Sequence, residues 1–568
     1  MRANETLTLA QNAAVEGEER KSADAELYDE KTDPSPPTPT EELQDGVRQA
    51  EAMTQSWNRA SLITLYVFIT WNLSAYITSE FAEHSLIPVI SIVANVMSAC
   101  AYMVAAKVLN LWDRSWGYLG MLVLATLGLI LSAACQNIYT YCAAQVFYSV
   151  GFIGIIFAID VLTADTSHLK NRALAYAFTA SPWAITAYAG PPISERFYDS
   201  NWRWGYGAFA IILPVVGLPM FAFLRYHRAQ AVKKGFDTKR EASGRTFLES
   251  VAYYVVEFDV LGIFLLCAGL VLFLLPFSLA QSAAETWRAP HIIAMLVIGI
   301  VCLIAFAVVE RFVPRPFIPA RLLSDRTVVG ACGLCFSWQI AYYCWASYFS
   351  SFLQVVYGLS ISTSGYIGSI YDVIAALWMF PIGYIIRRTG YFKPVLLVTV
   401  PLYILGEGLM IHFRKPGYSI GWIVFTQILI AFAGSSFTSV QQVAVLAAGK
   451  HNDAAALLAL LGLFGYIGGA VGNSISGAVW THTLPQALQA NLPEEVLPDW
   501  GSIYSDLEVQ LSFPIGDPVR TAIQMAYAEA QSRMLIAGTA IMALALAFTL
   551  LMRNIKVSDI NNVKGVVL

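Results

Sequence analysis

Three acids sit where an acid is costly. Asp372 lies some eight residues into the apolar run 364–386, Glu407 lies deep in the run 394–412, and Asp160 lies in the inner half of 139–162. An ionised carboxylate at the centre of a membrane helix costs about 2.5–3.5 kcal/mol on insertion scales, so each needs either a neighbouring base or a task such as carrying a proton. Asp372 has the fewest bases nearby in sequence. Asp160 is followed by Asp165, Lys170 and Arg172, a set that suits a gate network as well as proton carriage. A second chemistry is offered by the run 327–354, which carries Trp338, Gln339, Tyr342, Tyr343, Trp345 and Tyr348 among further phenylalanines. Gln339, Tyr342, Tyr343 and Trp345 would give amphipathic faces and hydrogen-bond donors to a bulky, oxygen-rich solute, and packing or lipid contact is the competing account of each. Asn72, Tyr76, Tyr148, Trp183 and Tyr188 are secondary candidates of the same kind. Glu80, Glu83 and His84 follow the run 60–79, where a solvated rim is the default reading.

Two further patterns read as packing. Gly462, Gly465, Gly468, Gly469, Gly472 and Gly477 could pass for a phosphate cradle, but no Lys-Ser/Thr follows and the run is apolar, so close helix contact explains it better. Cys332 and Cys335 form a CxxC inside an apolar segment where a thiolate would be poorly solvated. The eight cysteines lie in or beside apolar segments, which argues against a disulfide framework or a structural zinc site.

Such residues have to be held by membrane helices. Apolar residues make up 57% of the 568 residues and charged ones 13%, where a soluble domain carries about 25% charged residues. Apolar segments fall at about 60–79, 85–106, 117–135, 139–162, 173–193, 205–224, 260–281, 291–310, 327–354, 364–386, 394–412, 420–447, 455–480 and 534–552. Backbone groups find no partner in hydrocarbon, and runs of this length exclude the short alternating strands of a barrel, so fourteen membrane helices are expected. Residues 1–58 hold thirteen Asp and Glu with a Pro-rich stretch at 34–39 and read as a disordered cytoplasmic tail. That tail has no apolar core of a signal peptide, so the first segment should insert uncleaved.

Orientation follows from Lys and Arg. With the tail inside, twenty-two of thirty-five fall in cytoplasmic connections and the C-terminal tail, six ahead of the first segment (Arg59 included) and seven in outer loops, so both termini are expected in the cytoplasm. The outer loop 481–532 is the longest, with Pro485, Pro493, Pro498, Pro514 and Pro518 as helix breakers. The net charge of −4 shows no basic excess suited to nucleic acid.

The connection Gly383-Tyr-Ile-Ile-Arg387-Arg388-Thr-Gly390-Tyr-Phe-Lys393 resembles the G-x-x-x-D-R-x-G-R-R loop of the major facilitator superfamily, with Arg387 at the acidic position. Leu109-Asn-Leu-Trp-Asp113-Arg114-Ser-Trp-Gly117 matches the same loop at Asp113 and Arg114. Each copy follows the second helix of a six-helix unit, segments 1–6 and 9–14, with segments 7 and 8 as a central pair; that is the pseudo-repeat of a transporter that rocks about a site at the midplane. The expected fold is therefore all-α and polytopic, a major facilitator fold with fourteen transmembrane helices. Its parts are an N-terminal bundle at 59–226, a cytoplasmic loop at 227–259, the central pair at 260–312, a C-terminal bundle at 313–552 and a cytoplasmic tail at 553–568.

Within that superfamily the chain resembles fungal siderophore-iron transporters. The similar stretches include Phe157-Ala-Ile-Asp160-Val-Leu-Thr-Ala-Asp165, Asn171-Arg172 to Ser181-Pro182, Asn201-Trp202-Arg203-Trp204-Gly205, Ser351-Phe-Leu-Gln354-Val-Val-Tyr-Gly358, and Gly468 to Trp480. The resemblance implies proton-coupled import of ferric hydroxamate siderophores by a monomer in the plasma membrane, with endosomal or vacuolar membranes as the alternative. Asp372, Glu407 and Asp160 are the residues expected to couple protons, and Asp113, Arg114, Asp165, Arg172, Arg387 and Arg388 those expected to gate. The resemblance calls for no cofactor. Direct iron binding by His84, His412 or His482 is not expected, because a siderophore already saturates its iron. Many proton-coupled members carry an arginine early in segment 4, where this sequence has Gln145. Proton exchange of another solute such as glutathione, or drug export, stays open as a second reading. A non-transporting receptor would want long folded cytoplasmic domains, and no nucleophile, metal or nucleotide motif points to an enzyme.

Overall fold

The computed structural model describes residues 87–111, 113–234, 245–283, 285–450 and 453–557. Expected segment 1, with Asn72, Tyr76, Glu80, Glu83 and His84, lies outside them. The long helices are α1 (Ile87–Leu111), α2 (Arg114–Ala134), α3 (Ile138–Asp165), α4 (Leu169–Ala180), α5 (Trp183–Ser200) and α6 (Trp202–Lys233). A short α7 (Phe247–Glu257) leads to the central pair α8 (Val260–Leu274), its one-turn extension α9 (Pro276–Leu279), and α10 (Pro290–Phe312). Then come α11 (Arg326–Ala346), α12 (Phe349–Tyr357), α13 (Ile361–Gly368), α14 (Ile370–Thr389), α15 (Lys393–Phe413), α16 (Ile420–Ala448) and α17 (Ala454–Asn491). Short α18 (Trp500–Ser505) and α19 (Leu507–Ser512) precede the last long helix, α20 (Pro518–Leu551).

Among the described residues eleven helical stretches are long and apolar enough to cross a membrane. Expected segments 5 and 9 fall on broken helices instead. Segment 5 divides at Ser181–Pro182, where proline supplies no N–H to continue the ladder, and segment 9 divides at Ser347–Tyr348. Helix starts are fixed by polar caps: Asp113 accepts from Ser115 N at 3.0 Å, Asp325 from Thr327 N at 2.7 Å and Asp517 from Val519 N at 2.7 Å. Each satisfies a donor that the first turn leaves open.

The connection ahead of the last long helix, expected as the outer loop 481–532, is shorter than expected. Helix α17 continues through Pro485 to Asn491, and Pro518 opens α20 rather than breaking it, a position where its missing N–H costs nothing. Only 492–517 lie outside the two long helices.

Packing follows a two-fold plan. Helix α1, the second segment of the first unit, runs along α17, the fifth of the second unit; reciprocally α4 and α5, the fifth segment of the first, pack on α14, the second of the second. Within the units, α2 packs on α3 and α6 as α15 packs on α16 and α20. The glycine-rich run serves close contact: a Cβ on Gly468 would stand 2.5 Å from the Phe336 carbonyl oxygen and one on Gly472 2.7 Å from that of Ile340, so α17 lies directly on α11.

One buried cation fastens the outer part of the C-terminal unit. Arg520 Nε donates to Val355 O at 2.9 Å and Nη2 to Gln354 O at 3.1 Å, capping α12, while Nη1 donates to Gln510 O and to Phe513 O at 3.3 Å. Arg520→Met strands these carbonyls, and hydrogen bonds from a charged donor contribute about 1.5–3 kcal/mol each before non-additivity. A lowered thermal midpoint of the purified protein in detergent is the expected result; an unchanged midpoint contradicts the clamp.

Candidate functional site

A seam of tyrosines runs between the two units. Tyr102 of α1 lies against Tyr466 of α17 with ring centroids 5.5 Å apart, and its other edge meets Phe157 of α3 at 5.3 Å. On α11, Tyr342 stands 5.3 Å from Tyr343 and 5.4 Å from Trp345, and reaches Tyr371 of α14 at 5.7 Å. Tyr343 also borders Gly469 of α17, where the amide of Asn95 on α1 arrives from the opposite unit. Tyr102 and Asn95 on one side meet Tyr466 and Tyr343 on the other, a surface that is apolar in area and hydrogen-bonding at points.

Asp160 joins the units across this seam. Its Oδ2 accepts from Gln442 Nε2 of α16 at 3.1 Å, and its carboxylate lies within electrostatic reach of the Tyr102 and Tyr466 hydroxyls. Its helix is steadied by Tyr176, whose hydroxyl donates to the Asp160 carbonyl at 3.4 Å. Asp372 stands half-buried in the first turn of α14, next to Tyr371 and just after the helix break at Ser369.

Glu407 is elsewhere, inside the C-terminal unit. It is fully buried on α15 with Oε1 pressed on Gly538 of α20, and among the described residues neither oxygen has a hydrogen-bond partner. Two turns along the same face, Arg414 is also fully buried: its guanidinium lies 4.1 Å from the ring centres of both Trp345 and Phe349, and Nη1 donates to Gln531 Oε1 at 2.9 Å. Trp345 therefore gives a face to a cation rather than standing free for a ligand. Arg414 escaped the sequence reading because it follows a predicted span and was counted among the outer-loop cations; its spacing of seven from Glu407 was the available signal.

The residues expected to gate the first unit come together. Asp113 accepts from Ser115 Oγ at 2.6 Å and pairs with Arg225 at 3.1 Å and with Arg228, both from α6. Arg114 pairs with Asp165 at the end of α3, both buried. Arg172 donates to the carbonyls of Ala164 at 2.7 Å and Ser167 at 2.8 Å, closing the same helix end. Arg387 and Arg388 do not join this network. They are exposed in the last turn of α14, where positive charge complements the helix dipole, and with an arginine at the motif's acidic position no carboxylate is available to cap α15. Lys393 instead reaches the C-terminal end of α20, donating to Leu550 O at 2.9 Å and Met552 O at 2.5 Å.

The remaining candidates scatter. Tyr148 stacks on Phe152 at 5.5 Å, and its backbone is tight against Gly128, so it belongs to the joint of α2 and α3. Trp183 and Tyr188 are 39% and 62% exposed on α5, away from Gln339 and Tyr342, although Tyr188 meets Tyr366 of the other unit at 6.2 Å. Gln339 is half-buried beside Gly465. Tyr102, Tyr371, Gln442 and Tyr466 were missed, because a single tyrosine or glutamine in an apolar run gives no sign of which unit it will face. Among the described residues no group of three His, Cys, Asp or Glu could hold a metal ion.

Residues 60–473 match the Major Facilitator Superfamily. Beyond that, the chain is 58% identical over 542 residues to MFS siderochrome iron transporter D of Aspergillus fumigatus, covering 93% of this chain and 90% of that protein. It is 46% identical over 544 residues to Siderophore iron transporter mirB of Emericella nidulans, with the same 93% and 90% covered. The chain belongs to the fungal siderophore-iron transporter family of the major facilitator superfamily. This is a family of multi-pass membrane transporters and not of enzymes, and the reciprocal packing of α1 on α17 and of α4–α5 on α14 is how this member joins its two units.

Proposed function

We propose that the protein imports ferric siderophores of the hydroxamate class by alternating access, with protons moving in the same direction. The observation that carries this reading is the seam itself: tyrosine rings from both units, crossed by one hydrogen bond from Gln442 to a carboxylate. A ferric hydroxamate is bulky, oxygen-rich and close to neutral, so its recognition needs ring area and hydroxyl donors more than charge. Rocking of one unit on the other separates Asp160 from Gln442, and protonation of Asp160 exchanges a charged acceptor for a neutral one, which weakens that tie. Asp372, in the neighbouring helix start, is the second proton candidate and Glu407 the third.

Protons suffice as a source of work. One proton falling through about 150 mV supplies roughly 3.5 kcal/mol, which sustains about a 300-fold gradient of a neutral solute. The excess of Lys and Arg in the expected cytoplasmic connections supports a cytoplasmic position for both termini, and the proposed membrane is the plasma membrane.

The test is uptake of radioactive iron by cells lacking their own siderophore uptake and expressing this chain. Ferric hydroxamates should be taken up at least about tenfold above the vector control, equivalent to about 1.4 kcal/mol in the barrier, and a protonophore should abolish accumulation. Uptake of ferric citrate or a catecholate in place of hydroxamates, or no uptake with protein at the cell surface, contradicts the substrate class.

A further inference from the structure

The connection between the two halves contains a helix with two unlike faces. In α7, Glu249, Tyr253 and Glu257 follow at four-residue spacing on one side, and Phe247, Val251 and Val255 follow at the same spacing on the other, with Leu248 beside them. The first side is fastened to the protein. Glu257 pairs with Arg315, whose Nη1 donates to Tyr253 Oη at 3.3 Å, and Lys107 Nζ donates to the Glu257 carbonyl at 2.8 Å. Among the described residues nothing covers the second side: Phe247 is 81% exposed, Leu248 77%, Val251 45% and Val255 47%. Thr246 and Glu249 close a capping box at the start, so the helix is defined by its own sequence.

Its surroundings identify what covers that face. Only Phe258 and Asp259 separate α7 from the membrane-spanning α8, and Asp259 turns the chain with φ of 50° before capping α8 through Gly262 N at 3.1 Å. The apolar side therefore lies at the border of the bilayer. In sequence the helix is preceded by exposed Lys233 and Lys234 and by Arg245, whose guanidinium lies 3.7 Å over the Tyr253 ring on the fastened side. An apolar stripe preceded by basic residues, tethered to a membrane span, has the chemistry of an interfacial helix on an anionic leaflet.

We propose that α7 lies in the headgroup region of the anionic leaflet that α8 enters, with Phe247, Leu248, Val251 and Val255 at the acyl boundary and the preceding Lys233 and Lys234 among lipid phosphates. The connection between the two units is thereby anchored to the bilayer, and anionic lipid strengthens the anchor.

The test uses the full chain in liposomes, with a genetically encoded fluorescent amino acid at Val251, at Val255 or at Glu249 in separate preparations. Vesicles of phosphatidylcholine, with or without phosphatidylserine, carry nitroxide-labelled lipid as quencher. Quenching several-fold greater at Val251 and Val255 than at Glu249, and greater again with phosphatidylserine, is the expected result. Equal access of an aqueous quencher to all three positions overturns the proposal. Shielding from both lipid and aqueous quenchers also overturns it, by showing a second copy or another protein on that face, and quenching indifferent to phosphatidylserine removes the anionic lipid. The two apolar positions guard against one probe disturbing the helix.

Discussion

Asp160→Asn is expected to reach the membrane and to exchange labelled siderophore across it, yet to lose accumulation against a gradient. Asparagine keeps the volume and an oxygen that accepts from Gln442, so the tie across the seam persists while the titrating proton is removed. If that proton supplies the work, the accumulation ratio falls from about 300 toward unity, the loss of roughly 3.5 kcal/mol of driving force. Asp160→Ala separates the roles further, since it removes the tie as well and should impair exchange. Ordinary pH-dependent accumulation by Asp160→Asn sinks the assignment and passes the role to Asp372, then to Glu407. Asp160 comes first because of the three acids it is the one hydrogen-bonded to the opposite unit among the described residues.

Arg414→Met should produce a large loss of stability. The change removes a cation held between Trp345 and Phe349, strands Gln531 Oε1, and takes away the charge that balances Glu407 within the same helix. The hydrogen bond from the charged guanidinium to Gln531 is by itself worth about 1.5–3 kcal/mol, and the two ring contacts are lost with it. Glu407→Gln in the Arg414→Met background should recover part of it, with a coupling of about 0.5–3 kcal/mol in a double-mutant cycle followed by unfolding in mixed detergent. Additive losses in that cycle mean that the two groups do not sense each other, and Glu407 then stands alone as a proton candidate.

Hydropathy made the helices legible, because a run of some twenty apolar residues has one stable form in hydrocarbon. The repeat was legible through Asp113-Arg114 and the Gly383–Lys393 connection, and the glycine run of α17 through its three- and four-residue spacing. Partners were not. Arg414 looked like a loop cation since its charge ends an apolar window, and only the approach of α11 and α20 turns it inward. Pro485 and Pro518 looked like breakers, yet proline is tolerated within a long membrane helix and favoured at a first turn. The amphipathic α7 was read as part of a plain loop because eleven residues with three polar positions fall short of a membrane span. The seam itself was half visible: the aromatics of α11 were singled out by their density, while Tyr102, Tyr371 and Tyr466 acquire meaning only when α1, α14 and α17 meet.

The most direct measurement is uptake into proteoliposomes that hold this chain alone, with a ferric hydroxamate outside and an imposed proton gradient. Accumulation when the outside is acid, decay on adding a protonophore, and equilibration without concentration when no gradient is applied are the results this account predicts. Concentration of the chelate with no proton gradient, or transport indifferent to one, contradicts it.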